Sequence, residues 1–421
     1  MKYTISFLLI IFISTNLFGQ DSIYTHKIIE ALCSNKMSGR AYVKRGDQVA
    51  ANYIAKEFNA IGLSKFGKDY FQEFTFSVNT FPSQMEVKYN GRVLIPGIEY
   101  LVDPASPSID FHGKVQYVGI KSLDSNTHYD HWGSKIHSAV IDTFTSKYYS
   151  DAAINLKQYT SDQRNLLLVK LSNEKLTWSC SQKQSKVPVI TLKSEVFNRN
   201  ETANFEIKIK NKFIPKYVSR NVIGFIEGTK FKDSFIYVTA HYDHLGMMGS
   251  NTMFPGANDN ASGIAMMLNL AKYFKINKPK YSIVFIAFSG EEAGLIGSHH
   301  YVENPLTPLS DIKFLVNLDL MGNGAEGVMV VNGTINPSEF QLLKTINDKE
   351  KYLPAVKIRG KAANSDHYWF AQSGVPAFFF YLMGPYPFYH DVNDQATALP
   401  LTNFEQAFML FQSFISQLQN Q

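Results

Sequence analysis

The sequence of 421 residues contains few cysteines and few charged residues. Its two cysteines, Cys33 and Cys180, belong to no CxxC or zinc-knuckle pattern, which excludes thiolate metal sites of that kind. They either form one disulfide or remain two buried thiols, and the sequence favours neither alternative. Charged residues make up 18% and hydrophobic residues 45% of the chain, a composition typical of globular proteins rather than disordered ones.

Basic runs are absent as well. The net charge is +5, the lysines are scattered, and no basic-aromatic stripe occurs, so we expect no nucleic-acid partner. After the N-terminus no stretch is long and apolar enough to span a membrane. The N-terminus itself, MKYTISFLLIIFISTNLFGQ, has one early lysine, an apolar stretch and the small residue Gly19. It predicts a signal peptide over residues 1–19, and hence a secreted or periplasmic protein, with a short membrane anchor as the alternative.

The pattern of apolar and polar residues divides the remaining chain into an α/β unit and an insertion. Residues 28–63 have helical periodicity that ends at Gly62. Between about residues 74 and 215, short β-rich runs such as MEVKY, NLLLVKL and VPVITL are separated by polar turns. We therefore expect one unit from residues 20–75 and 215–421, interrupted by a β-rich insert domain over residues 76–214.

After residue 215, apolar strands alternate with helices. The strands are NVIGFI, FIYVTA, YSIVFIAF, IKFLVNLDL and PAFFFYL, and the clearest helices are ASGIAMMLNLAKYF and the amphipathic residues 403–417. Continuously apolar strands predict an α/β fold in which a mostly parallel central sheet has helices on both faces. Ligands of such sheets bind beyond the carboxyl ends of the strands.

Acidic and imidazole side chains follow these predicted strands. In chain order they are His241 and Asp243 after FIYVTA, Asp259 in GANDNASG, Glu291 and Glu292 after IVFIAF, Asp319 in FLVNLDL and His390 in GPYPFYHDVND. Each would be costly at a buried sheet edge without a compensating cation. The tetrapeptide HYDH at 241–244 also occurs at 128–131, where no carboxylate-ended strands follow, and we expect that first copy to be a surface loop.

Imidazole and carboxylate ligands without thiolate suit zinc, with manganese or cobalt as substitutes. The set exceeds the needs of one tetrahedral zinc and therefore predicts two metal ions that share a carboxylate, about 3.5–4 Å apart. Asp259, which precedes an apolar helix and is flanked by small residues, is the candidate bridge. Alone, Asp259 would be typical of a helix N-cap; the shared position of the whole set favours a metal centre.

Six motifs in this order, TAHYDHLG, GANDNASG, SGEEAGLIGS, VNLDLMG, SDHYWF and YHDVND, resemble those of the di-zinc aminopeptidase family. The family includes bacterial leucyl aminopeptidase, aminopeptidase S and aminopeptidase Y, and is related to glutamate carboxypeptidase and glutaminyl cyclase. The resemblance covers about 200 residues from Ser219 onward and the N-terminal helical region. It implies a zinc exopeptidase fold of the phosphorylase/hydrolase-like kind, and the β-rich insert resembles a protease-associated domain.

The resemblance also implies roles for individual residues. His241 and Asp319 would bind one zinc, Glu292 and His390 the other, and Asp259 would bridge them. Glu291 would be the general base, Asp243 the carboxylate that orients His241, and Tyr389 a contributor to oxyanion stabilisation. Consecutive side chains at the end of a strand point in different directions, which would separate the base from the ligand Glu292. Asp391 and Gln395 depart from the family pattern, and Asp391 would raise metal affinity or repel acidic substrates.

These observations predict an exported di-zinc aminopeptidase that hydrolyses peptides with a free N-terminus. The alternatives are a carboxypeptidase-like dipeptidase, a glutaminyl cyclase and a binding relative without catalysis. The last is disfavoured because all metal and base positions are filled. Residue preference and oligomeric state stay open.

Overall fold

The structure, a computed structural model, describes residues 21–118, 138–142, 167–199 and 203–420. The expected signal peptide (1–19) and the first HYDH copy (128–131) lie outside these ranges. Among the described residues, no helix has both the length and the apolar character needed to cross a membrane. Cys33 and Cys180 are both free thiols, so the disulfide alternative is excluded.

The predicted helices are present. In the described part of the chain the α-helices are α1 (Ser22–Leu32), α2 (Gly46–Ile61), α3 (Ser262–Ile276), α4 (Ile296–Glu303), α5 (Pro337–Glu350), α6 (His367–Gln372) and α7 (Phe404–Leu418). Helix α2 ends as expected at Gly62, whose φ of +85° suits a residue without a side chain. The helical pattern predicted over 28–63 is interrupted between α1 and α2, where Ser38 and Arg40 have positive φ.

The strands are numbered in chain order. They are β1 (Phe71–Thr80), β2 (Glu86–Tyr89), β3 (Arg92–Val93), β4 (Tyr100–Val102), β5 (Ile109–Val118), β6 (Ser138–Asp142), β7 (Leu167–Ser172), β8 (Val189–Lys193), β9 (Ala203–Ile209), β10 (Lys212–Ile226), β11 (Phe231–His241), β12 (Gly246–Met248), β13 (Thr252–Phe254), β14 (Tyr281–Phe288), β15 (Ile312–Leu318), β16 (Gly327–Val331), β17 (Val356–Ile358) and β18 (Ala377–Met383). They form two eight-stranded sheets and the hairpin β12–β13.

The central sheet has the order β1-β10-β14-β11-β15-β18-β16-β17. Its four inner strands, β14, β11, β15 and β18, are mutually parallel, whereas β1, β10 and β16 pair antiparallel with their inner neighbours. The predicted α/β fold with a mostly parallel sheet is confirmed. Because the inner strands run in one direction, their carboxyl ends lie along one edge.

Both faces of this sheet are covered, which explains the continuously apolar strands. In β11, Ile236 and Val238 pack into a core with helices α1, α2, α3 and α7. The alternating residue Tyr237 points to the opposite face and packs with Tyr301 of α4 and Phe370 of α6. Successive residues of a strand therefore enter two different cores. A strand with alternating polar residues would bury those residues in one of the cores.

The second sheet has the order β3-β2-β9-β5-β6-β7-β8-β4 and contains the β-rich runs of the predicted insert. Its core is completed from outside the sheet: Leu245, Met248 and Phe254, in and beside the β12–β13 hairpin, pack with Trp178 and the strands of the second sheet. The division at residues 76 and 214 stays a prediction. Strands β1 and β10 pair with each other across both expected boundaries, from Phe71 with Val222 to Thr80 with Lys212.

Candidate metal centre

The carboxyl ends of the inner strands bring the predicted residues together. His241 is the last residue of β11 and pairs in register with Phe288, the last residue of β14. Asp319 follows β15 directly, and His390 lies in the loop after β18. Asp259 comes from the turn before α3.

One group of side chains is centred on His241. Its Nε2 atom lies 3.3 Å from Asp259 Oδ1 and 3.3 Å from Asp319 Oδ1. All three residues are at least nine-tenths buried. Ser365 Oγ donates to the other oxygen of Asp319, at 3.1 Å, and thereby orients the carboxylate.

A second group is centred on His390. Its Nε2 atom lies 3.2 Å from Asp259 Oδ2 and 3.2 Å from Glu292 Oε2. The two oxygens of Asp259 therefore face two different histidines, as a carboxylate shared by two cations would. Asp259 is not the N-cap of α3, because the helix begins at Ser262 after Ala261. Its main-chain N–H instead donates to Asp394.

The distances fit metal ligands better than direct ion pairs. Charged N–H···O hydrogen bonds are about 2.7–2.9 Å long, whereas two atoms bound to a tetrahedral zinc at about 2.0–2.1 Å lie about 3.3 Å apart. All four separations around His241 and His390 are 3.2–3.3 Å. In addition, Asp319 Oδ1 is buried and has no hydrogen-bond partner. These residues fit a pair of zinc ions.

The electrostatics also favour cations. Burial lowers the pKa of His390, but Glu292 and Asp259 outweigh it and raise the pKa to about 11. Burial likewise lowers the pKa of His241, yet Asp319, Glu291 and Asp259 hold this pKa well above its usual value. Carboxylates that stabilise imidazolium so strongly would stabilise a metal ion in its place.

Glu291 and Glu292 have opposite electrostatic environments. Burial raises the pKa of Glu292, but His390 and a hydrogen bond from His244 outweigh it and lower the pKa to about 2. Burial, together with the charges of Glu292, Asp366 and Asp319, raises the pKa of Glu291 well above its usual range, against the lowering effect of His241. The neighbouring carboxyls thus differ in their affinity for a proton.

The expected cause of their separation was wrong. Strand β14 ends at Phe288, so Glu291 and Glu292 do not alternate along a strand. They lie in a turn in which the Glu291 carbonyl accepts from the amides of Gly294 and Leu295, at 2.8 Å each. The turn, rather than strand pleating, directs the two side chains differently.

Asp243 is fully buried beside His241, but it contacts the imidazole through its main chain. His241 Nδ1 lies 3.1 Å from the Asp243 carbonyl oxygen and 3.8 Å from the carboxylate. The carboxylate accepts instead from the Glu291 amide, at 3.2 Å, and from the Tyr42 hydroxyl, at 3.1 Å. Burial raises the pKa of Asp243 to about 7, with His241 opposing and Glu292 and Asp366 adding to the rise. Its carboxylate therefore positions the Glu291 main chain.

Tyr389 lies beside the second group. Its ring stacks on that of His390, with centroids 3.9 Å apart and an interplanar angle of 16°. Its side chain is 49% exposed, so it borders the solvent side of the site.

The structure adds residues that sequence reasoning did not assign. His244 Nδ1 lies 2.7 Å from Glu292 Oε1, and His244, Asp259 and Glu292 offer ligand atoms within 4.8 Å of one another. Fully buried Arg40 donates to the carbonyls of Tyr242, Gly256 and Asp259. His244 lies in the HYDH tetrapeptide and Arg40 in the N-terminal helical region, but neither pattern signals such contacts.

The arrangement has a counterpart among known proteins. The model of Peptidase family M28 matches residues 221–415, which include both groups of candidate ligands. Residues 221–415 belong to Peptidase family M28.

Proteins similar to this chain carry related names. It is 31% identical over 232 residues to Aminopeptidase YwaD of Bacillus subtilis (strain 168), which covers 52% of this chain and 49% of that protein. The chain thus matches about half the length of this curated relative. The zinc aminopeptidase BSAP from Bacillus subtilis has a TM-score of 0.69 at 21% identity, and an aminopeptidase from Aneurinibacillus sp. strain AM-1 has 0.65 at 22%; each covers 94% of both chains. At these identities the structural likeness shows the fold.

Proposed function

We propose that this protein is a zinc-dependent exopeptidase that binds two metal ions and releases N-terminal residues from peptides. The observation that most strongly supports this proposal is the position of the Asp259 carboxylate. Its two oxygens lie 3.3 and 3.2 Å from the Nε2 atoms of His241 and His390, respectively. Asp319 completes the first ligand group and Glu292 the second. The names of the relatives support the same activity.

His241, Asp259, Asp319, Glu292 and His390 would hold the zinc ions, which would supply the Lewis acidity that activates water and polarises the scissile carbonyl. Glu291 accepts the proton of the attacking water and passes it to the leaving amine. Burial raises the pKa of Glu291 above its usual range, which increases the proton affinity that a general base needs. The Asp243 carboxylate holds the Glu291 main chain in place.

Two cationic side chains of the described residues that lie close to the site, Arg40 and Lys175, already donate to main-chain carbonyls. The assignment as an aminopeptidase is supported by the order of the sequence motifs and by the name of the relative Aminopeptidase YwaD.

Tyr389 borders the site at its solvent side, and we assign it to stabilisation of the oxyanion. Export and the insert domain over residues 76–214 belong to the same proposal, since the N-terminal pattern and the β-rich texture support them.

The test combines metal content with a substrate panel. Purified protein should contain two zinc ions per chain and release free amine from aminoacyl-nitroanilides, and a chelator should abolish this activity. Cleavage of N-blocked peptides alone would favour the carboxypeptidase alternative, and cyclisation of N-terminal glutamine would favour the cyclase.

A variant separates binding from chemistry. Glu291→Gln should keep both zinc ions and lose turnover by about 10²–10⁴-fold, the usual contribution of a general base. Undiminished turnover by the zinc-replete variant would refute the base assignment.

A further inference from the structure

The segment that connects β7 to β8, residues 173–188, contacts the loop that carries His390. His390 Nδ1 lies 2.8 Å from the carbonyl oxygen of Trp178, and the Trp178 amide donates to the His390 carbonyl at 3.2 Å. Because a carbonyl oxygen only accepts, Nδ1 carries the proton. Nε2, which faces Asp259 and Glu292, is then the nitrogen that would offer its lone pair to a metal ion in place of a proton.

Lys175 of the same segment binds the turn around His390. Its Nζ atom donates to the carbonyl oxygens of Pro387 and Tyr389, at 2.6 Å each, and lies 3.5 Å from Asp391 Oδ2. The three hydrogens of the ammonium group thus meet three oxygen atoms of one turn.

This turn has an unfavourable backbone conformation. His390 has a φ of +54°, in the left-handed region that residues other than glycine rarely adopt. Such conformations persist when surrounding contacts impose them. The contacts here come from Trp178 and Lys175, which belong to the connection between two strands of the second sheet.

The β7–β8 segment also reaches the loop of the other ligand in this group. Gln182 Nε2 donates to the carbonyl of Ala293, the residue after Glu292, at 2.8 Å. One connection of the second sheet therefore bonds to the loops of both Glu292 and His390.

Asp391 faces this segment. From the sequence it was expected to raise metal affinity or repel acidic substrates. Its Oδ2 lies near Lys175, and its Oδ1 accepts from the main-chain and side-chain N–H groups of Asn393. Its charge is therefore directed to the β7–β8 segment.

We propose that the β7–β8 segment, with Lys175 as a positioning residue, sets the metal affinity of the Glu292–His390 site. The second sheet is then a structural part of this metal site. This inference rests on the proposed function, since it assumes that both ligand groups bind zinc.

The experiment measures zinc affinity rather than turnover. Wild-type protein and variants are dialysed against zinc buffers, the metal content per chain is determined, and unfolding of the metal-free proteins is recorded. Lys175→Met should weaken one of the two zinc sites and leave the other unchanged; because Lys175 holds the turn rather than the ligand itself, the loss should be at most the roughly 10–100-fold that removal of a ligand's own hydrogen-bond partner causes. Lys175→Arg, which keeps charge and donors, should restore part of the affinity.

Lys193→Met is the matched control. Lys193 and Lys175 line the same cleft of about 190 Å³, but Lys193 pairs with Glu195, at 3.7 Å. Its replacement removes the same charge nearby and should change neither zinc affinity. Gln182→Leu is a second variant, in which only the bond to the Ala293 carbonyl is lost; it should weaken the same site.

The outcomes separate the two claims. If wild-type protein binds two zinc ions and Lys175→Met binds both as tightly, or loses both equally, the inference is wrong. An equal loss in Lys193→Met would overturn it too, because bulk charge would then explain the effect. A wild-type protein that binds fewer than two zinc ions would instead refute the proposed metal pair.

Discussion

His244 Nδ1 lies 2.7 Å from Glu292 Oε1, and the imidazole is fully buried. This separation is a hydrogen-bond length, clearly shorter than the 3.2–3.3 Å between the atoms proposed to share a metal. His244 thus holds one oxygen of Glu292 and leaves Oε2 facing His390.

His244→Ala should therefore weaken the Glu292–His390 zinc site by about 10–100-fold while the other site is retained. Zinc-buffered dialysis measures the effect. His299→Ala, a change at a histidine that is partly exposed and pairs with Glu303, is the control. Complete loss of one zinc at saturating metal would indicate that His244 is itself a ligand.

Asp259 and Asp319 should differ in the number of metal ions that depend on them. Asp259 faces both histidines, whereas Asp319 contacts His241. Asp259→Ala should reduce the affinity of both zinc sites, and Asp319→Ala that of one. Zinc per chain, measured across a range of free zinc, distinguishes the two. Equal behaviour of the variants would contradict the shared role of Asp259.

Arg40 should be a large contributor to stability. The side chain is fully buried, and its donors reach the carbonyls of Leu32, Tyr242, Pro255, Gly256 and Asp259. Arg40→Met removes all five of these hydrogen bonds and should lower the free energy of unfolding by on the order of 3–5 kcal/mol. Denaturant unfolding of metal-free protein measures it.

Arg40→Lys is the matched variant for this prediction. It keeps the charge but has three donors in place of five, so its loss should be smaller than that of Arg40→Met. An unchanged free energy of unfolding in Arg40→Lys would instead show that charge, rather than the number of hydrogen bonds, is decisive.

Asp47 should make stability depend on pH. Burial raises its pKa from the ordinary 3.8 to about 6, although Tyr217 and Ser219 donate hydrogen bonds that lower it. Between these values the folded state binds the proton more tightly than the unfolded chain. The contribution of Asp47 to stability therefore falls as the pH rises from 4 to above 6, by on the order of 2–3 kcal/mol.

Asp47→Asn should remove this slope. Denaturant unfolding of metal-free protein between pH 4 and 7 provides the comparison: the difference in unfolding free energy, variant minus wild type, should increase with pH. A constant difference would exclude Asp47 as the titrating group.

The sequence was sufficient to predict the elements that periodicity and burial determine. YSIVFIAF forms β14 with its expected ends, and ASGIAMMLNLAKYF forms most of α3. The candidate ligands could be named because parallel strands bring their carboxyl ends to one edge of the sheet. Side chains that are spread over 150 residues of sequence therefore lie close together. Their metal-binding and catalytic roles stay predictions.

The supporting contacts could not be predicted in the same way. Arg40 bonds to Tyr242 across 202 residues of sequence, and Trp178 holds His390 across 212 residues through its main chain. Neither contact depends on a periodic pattern, and a main-chain carbonyl has no residue-type signature. The turn at Glu291 was missed for a related reason, since a run of apolar residues marks a strand but not the path of the chain beyond it.

The β12–β13 hairpin imposes an order on biosynthesis. Strands β2 to β9 end at Ile209, yet their core includes Met248 and Phe254. A ribosome releases those side chains only after the whole second sheet has emerged, so the nascent sheet exposes the apolar surface that they will cover. The core of the second sheet can therefore be completed only after the segment between His241 and Asp259, the first two proposed ligands, has been synthesised. Folding of the β-rich region then depends on synthesis of part of the metal site.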